Sequence, residues 1–94
     1  MEEKILKVKE EVADKLDLPR DIVLDVPKLT IIGNKEITIE NHKGILAFQE
    51  TFIKVNSNLG TIELRGKNFE ITFIGGNTLC LRGGFSNIIY EEKR

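Results

Sequence analysis

One cysteine, one histidine and two prolines are all that the 94 residues hold of these types. With Cys80 alone no internal disulfide can close, so the chain must fold without that staple, and a reducing compartment fits it best. No sign of charge dominates either: 14 basic residues stand against 15 acidic ones. That balance excludes a disordered polyelectrolyte. It also lacks the basic footprint with which nucleic-acid binders neutralise phosphates. No apolar run is long enough to span a bilayer, and the opening MEEKILKVKEEVADKL is too charged for the apolar core of a secretory signal. The expectation is a cytoplasmic protein that reaches a membrane only through a partner.

What is present suffices for one core. A 40% hydrophobic content in 94 residues matches a single small domain, residues 1–94, with no room for a second core. Ile5, Val8, Val12 and Leu16 recur at spacings of three and four, which predicts an amphipathic helix over residues 1–18 that Pro19 ends. Such a short helix is marginal in water without tertiary packing, so it is expected to dock on the rest.

From Ile22 to Tyr90 the period becomes two. Leu29/Ile31, Ile37/Ile39, Ile53/Val55, Ile62/Leu64, Phe69/Ile71/Phe73 and Leu79/Leu81 alternate with polar residues. Gly- and Asn-rich clusters between them supply the positive φ angles of tight turns. The fold class predicted is therefore mainly β: the N-terminal helix, then an antiparallel meander of at least six strands over 22–90, forming a small sandwich, roll or open barrel. Residues 91–94 read as a charged tail. A weak repeat of the form apolar-x-apolar-x-Gly recurs at Leu29–Gly33, Ile62–Gly66 and Leu79–Gly83, and TIELRGKNFEI aligns with TLCLRGGFSNI. It leaves a short β-solenoid open as the alternative topology.

Chemistry is thinly supplied. His42 sits in the Asn41-His42-Lys43-Gly44 turn with no Cys or second His at ligand spacing, so a role hydrogen-bonded to backbone or exposed to solvent is expected. Cys80 faces away from Leu79 and Leu81 with no neighbouring base to activate it. Gly75-Gly76 and Gly83-Gly84 fit neither GxGxxG nor the Walker pattern and read as turns. Arg65 and Arg82 occupy equivalent repeat positions and point away from the apolar face, either as solvated strand charges or as part of a recognition surface. No catalytic residue, metal ligand or cofactor site is assigned, and the chain is not expected to be an enzyme.

Departures from alternation carry more. In Ile45-Leu46-Ala47-Phe48, Phe52-Ile53 and Phe73-Ile74, apolar residues fall on both faces of a strand. With Ile45, Ala47 and Ile53 turned to the core, Leu46, Phe48 and Phe52 lie on the other side and form the candidate protein-binding surface. Self-association through it is expected.

The stretch DLPRDIVLDVPKLTIIGNKEITIENHKGILAF, followed by GTIELRGKNFEIT, resembles the YabP/YqfC family of sporulation proteins from endospore-forming bacteria, and within it the YqfC branch. The resemblance covers nearly the whole chain. Its marks are Leu18-Pro19 before Ile22–Asp25, Pro27 before Leu29–Gly33, the Ile39–Gly44 turn, and Gly60, Ile62, Leu64, Gly66 and Phe69 in their spacing. The resemblance implies a mother-cell protein of spore-envelope development, with no catalytic residues to carry over. It also implies a membrane-associated sporulation protein, encoded nearby, as a candidate partner. Two functional readings follow: a structural or adaptor protein that docks on another sporulation protein or on copies of itself, or a small-ligand or carbohydrate-binding β-domain using Asn41, His42, Asn58 and Asn68.

Overall fold

The computed structural model describes residues 23–92. The helix expected over 1–18 lies outside the described residues. Six strands are present: β1 (Lys28–Ile32), β2 (Glu36–Glu40), β3 (Ile45–Gln49), β4 (Phe52–Ser57), β5 (Gly60–Gly75) and β6 (Thr78–Glu92). The β region opens at Lys28 rather than just after Ile22, because Asp25 takes a left-handed turn (φ 53) and Pro27 leads into β1. Of the expected charged tail, Glu91 and Glu92 belong to β6, where they pair with Thr61 and Gly60.

Every pairing is antiparallel and the strands run in the order β1-β2-β6-β5-β4-β3. A solenoid stacks its strands in parallel, so that alternative is overturned. The meander holds only from β3 to β6, since β2 pairs with β6 and the chain then jumps to the far edge to begin β3.

Sixteen extended residues in β5 would reach about 50 Å, yet the molecule's longest dimension is 40 Å. The β5–β6 hairpin is bent. Its register slips between Arg65 and Gly66, between Lys67 and Glu70, and between Ile71 and Phe73. Bulges of this kind bend a strand and sharpen its twist. The β2–β3 crossover shows how far the sheet doubles over: His42 N–H donates to the Asn77 carbonyl (3.2 Å) at the hairpin tip. The next residue, Lys43, donates its N–H to the Asn56 carbonyl (2.8 Å) at the far end of β4. Two ends of the sheet thus meet at consecutive residues. Doubling brings the apolar faces together, and Ile37, Ile39, Leu79 and Leu81 of one half are buried along with Ile53, Val55, Ile62 and Leu64 of the other.

The halves repeat each other. β4 pairs with the start of β5 as β2 pairs with the start of β6. At the bend, Gly66 N–H donates to the Thr51 carbonyl and Phe69 N–H to Glu50, as Gly83 donates to Lys35 and Phe85 to Asn34. The rings of Phe69 and Phe85 then stack with centroids 4.9 Å apart. The weak repeat ending in Gly66 and Gly83 is the sequence trace of this internal two-fold relation. Its glycines are set by space: a Cβ on Gly66 would collide with the Gly84 carbonyl oxygen, and one on Gly83 would lie 2.7 Å from Phe69 Cδ1.

Candidate functional site

The expected surface of Leu46, Phe48 and Phe52 does not form as one face. β3 slips register between Ile45 and Ala47, so Ile45 opposes Val55, Ala47 opposes Lys54 and Phe48 opposes Ile53. Directly opposed residues share a face. Phe48 therefore joins the core side with Ile53, and Ala47 the outer side with Lys54, the reverse of the expected assignment. Leu46 is the extra residue of the bulge and is 55% exposed. Phe48 remains 42% exposed because, among the described residues, β3 is an edge strand with nothing beyond it. Phe52 does face outward, opposite Gln49 and Arg65, and the Arg65 guanidinium covers its ring at 5.5 Å from the centroid.

A second slip acts on β5. Ile71 opposes Leu81, whereas Phe73 opposes Cys80 and Ile74 opposes Leu79. Thr72 is the extra residue, so Phe73 turns to the outer face instead of following Ile71, and all three apolar side chains are exposed. Among the described residues, β5 has no strand on its other side beyond Gly66. Ile31, Ile32, Ile89 and Tyr90 are also exposed on strands that border the sheet. Sequence reading missed Ile31-Ile32, although adjacent apolar residues there carry the same both-faces signal as Phe73-Ile74.

Arg65 and Arg82 point outward as expected. Each is spoken for by a carboxylate, Arg65 Nε at 2.7 Å from Glu63 Oε2 and Arg82 Nη2 at 2.7 Å from Glu70 Oε2. Cys80 lies on the outer face, half-buried, and accepts a hydrogen bond on Sγ from the Thr38 hydroxyl at 3.7 Å.

Asn41 is engaged at the crossover, donating to Asp25 Oδ1 and the Val26 carbonyl and accepting from Asn77 Nδ2, while Lys43 Nζ sits 2.8 Å from Asp25 Oδ1. Asn58 is exposed on the β4–β5 turn. Asn68, with φ 58, stands at the bend, where it lines an open depression of about 360 Å³ with Glu50, Phe69 and Glu70. Among the described residues no cluster of His, Cys, Asp and Glu has the arrangement to hold a metal ion.

His42 is buried, only 7% exposed, and its Nδ1 accepts the Gly44 N–H at 3.0 Å. The proton of the neutral ring is thereby directed to Nε2, which has no hydrogen-bond partner among the described residues. Burial lowers the His42 pKa. On acidification the unfolded chain then binds a proton before the folded one does, so the stability is fully present above about pH 6.5 and declines as pH falls from there toward the folded pKa. Urea melts between pH 7 and 5.5 are expected to show this loss, with a slope of at most about 1.4 kcal/mol per pH unit. A His42→Asn variant should lose that slope; an unchanged slope would show that His42 is not its source.

No helix of the described residues is long and apolar enough to cross a membrane. The sequence profile of the YabP family matches residues 25–94, which span all six strands. Among curated proteins, the uncharacterized protein YqfC of Bacillus subtilis (strain 168) is 35% identical over 77 residues, covering 82% of this chain and 83% of the relative. No solved structure matches.

Proposed function

The chain belongs to the YabP family, and on that premise we propose that it is a non-enzymatic sporulation protein, a structural or adaptor component of mother-cell spore-envelope development that works through protein–protein contacts. The observation that supports this is where the exposed apolar side chains lie. Ile31 and Ile32 on β1, Leu46 and Phe48 on β3, Ile71, Phe73 and Ile74 on β5, and Ile89 and Tyr90 on β6 all sit on strands, or parts of strands, that have an open side among the described residues. An open edge supplies backbone hydrogen bonds to an incoming strand, and flanking side chains give the selectivity. Its partners in this reading are other sporulation proteins, a membrane-associated one encoded nearby among them, and a second copy of itself. The protein then works in the mother-cell cytoplasm, held near the forespore membrane by that partner. The small-ligand or carbohydrate reading has less support, because the Asn41 side chain is engaged by Asp25, Val26 and Asn77 and the His42 ring is buried with Nδ1 bonded to Gly44.

The test is complementation in a spore-forming host whose own copy is deleted. Wild type and Cys80→Ser are expected to restore heat-resistant spores equally. Leu46→Glu, at an exposed bulge, is expected to lower the yield about tenfold while its melting temperature stays within a few degrees, since an unpaired charge is not accommodated in an apolar contact. Full restoration by Leu46→Glu together with loss of function in Cys80→Ser at unchanged stability would refute the adaptor reading.

A further inference from the structure

We propose that His42 is an acid-sensitive clasp: protonation of its ring frees the crossover from the end of β4, with Asn41 as the hinge that keeps it tied to the β5–β6 hairpin tip. The short stretch from Asn41 to Gly44 joins two ends of the doubled sheet. His42 N–H donates to the Asn77 carbonyl (3.2 Å), Lys43 N–H to the Asn56 carbonyl (2.8 Å), and Asn56 N–H to the Gly44 carbonyl (2.8 Å). Gly44 N–H in turn donates to His42 Nδ1 at 3.0 Å, with Gly44 at φ 125. One ring nitrogen thus positions the residue on which β4 closes.

The bond to Nδ1 exists only while the ring is neutral. A protonated imidazole donates at both nitrogens and accepts at neither. Nδ1–H would then face the Gly44 N–H, two donors 3.0 Å apart. Nε2 is buried without a hydrogen-bond partner and would share the charge away from water, which costs far more than burying the neutral ring. The charged groups around the turn do not offset this. Lys43 pairs with Asp25 at 2.8 Å, and Glu40 at the end of β2 lies 4.0 Å from Lys28. The hairpin tip brings the neutral Asn77 and Thr78, and the end of β4 the neutral Asn56 and Ser57. Glu91, across β5 from Asn56, accepts the Thr61 hydroxyl at 3.4 Å. No carboxylate among the described residues hydrogen-bonds the ring.

The two sides of the clasp differ in what holds them. On the hairpin side Asn41 Nδ2 donates to the Val26 carbonyl at 3.0 Å and Asn41 Oδ1 accepts from Asn77 Nδ2 at 3.2 Å. Amides gain no proton near neutral pH, so these contacts outlast the ring's. The β4 side rests on the two backbone bonds at Asn56, beside the residue that the ring positions. Release there loosens the sheet next to Val55, a fully buried core residue. Acid lowers the overall stability of any protein that buries a neutral histidine. A local opening at Asn56 does not follow from that, and it is the opening that makes His42 a switch.

Amide hydrogen exchange followed by NMR between pH 7 and pH 5 tests it, with rates corrected for the intrinsic effect of pH. In the wild type, opening at the Lys43 and Asn56 amides is expected to rise up to about tenfold per pH unit below about pH 6.5 and to be unchanged by about 1 M urea, as for local rather than global unfolding. The slowest amides of β5 and β6 should respond to the same urea. His42→Asn should abolish the rise, because its Oδ1 can take the Gly44 N–H but does not titrate. Nitrogen-15 shifts of the wild-type ring give a check that needs no variant: at pH 7 Nδ1 is expected unprotonated and Nε2 protonated. Lys43 and Asn56 amides that follow urea as the core does, an opening independent of pH, a rise retained in His42→Asn, or a ring protonated at Nδ1 at pH 7 would each overturn the clasp.

Discussion

Gly66→Ala is expected to abolish cooperative folding or to destabilise the protein by about 3 kcal/mol or more. The added methyl would overlap the Gly84 carbonyl oxygen and come within 2.9 Å of Phe69 Cε1. Neither neighbour can retreat cheaply: Gly84 belongs to the β6 backbone paired with Lys67, and Phe69 is buried against Phe85. Gly76→Ala is the control. Gly76 has φ 57 but open space around it, so the cost there is the left-handed conformation alone, about 1–2 kcal/mol. Chemical denaturation of both variants checks the ordering. A Gly66→Ala variant no less stable than Gly76→Ala would mean that the two long strands do not cross so closely at the bend.

Phe69→Ala is expected to cost roughly 3–5 kcal/mol, as for other buried aromatics. That is a large share of the ~5–15 kcal/mol by which domains are stable. The ring is 3% exposed and stacked on Phe85, and its backbone N–H is held by the Glu50 carbonyl at 2.8 Å, so the cavity would open where both halves of the sheet turn. Phe73→Ala makes the contrast. Phe73 is 53% exposed on the outer face, and its removal should change the stability of the isolated chain by about 0.5 kcal/mol or less. Thermal melts of the pair decide the matter, and similar losses for both would show that the Thr72 bulge is misplaced.

These two phenylalanines also mark how far periodicity reaches. Alternation places Phe69, Ile71 and Phe73 on one apolar face, yet Phe69 is core, Ile71 opposes the buried Leu81 but is exposed, and Phe73 lies on the opposite side. One inserted residue is enough, because the side-chain period of a strand is two and a slip by one exchanges the faces. Leu46 does the same to Phe48 and Ala47 in β3. Nothing local distinguishes these bulges: Thr72 and Leu46 are ordinary strand residues, and the slip is imposed by the partner strand and the bend.

Where no bulge intervenes, the residues alone were sufficient. Ile37/Ile39, Ile53/Val55, Ile62/Leu64 and Leu79/Leu81 alternate in the chain and are the buried core, since burial of one face selects this pattern wherever the ladder is regular. The turns at Gly33, Asn41 and Gly76 were legible for a similar reason, as their backbones have φ of 55, 62 and 57, values that Gly and Asn accept at low cost. Family membership was legible in the spacing of these same residues. The pairing of β2 with β6, the doubling of the sheet and the burial of His42 were decided only in three dimensions. They depend on contacts between segments some 40 residues apart, such as Thr38 with Cys80 and His42 with Asn77, and non-local pairing leaves no period in either segment. Which edges stay open is likewise a property of the assembled sheet, because a strand becomes an edge through the absence of a neighbour rather than through anything in its own composition.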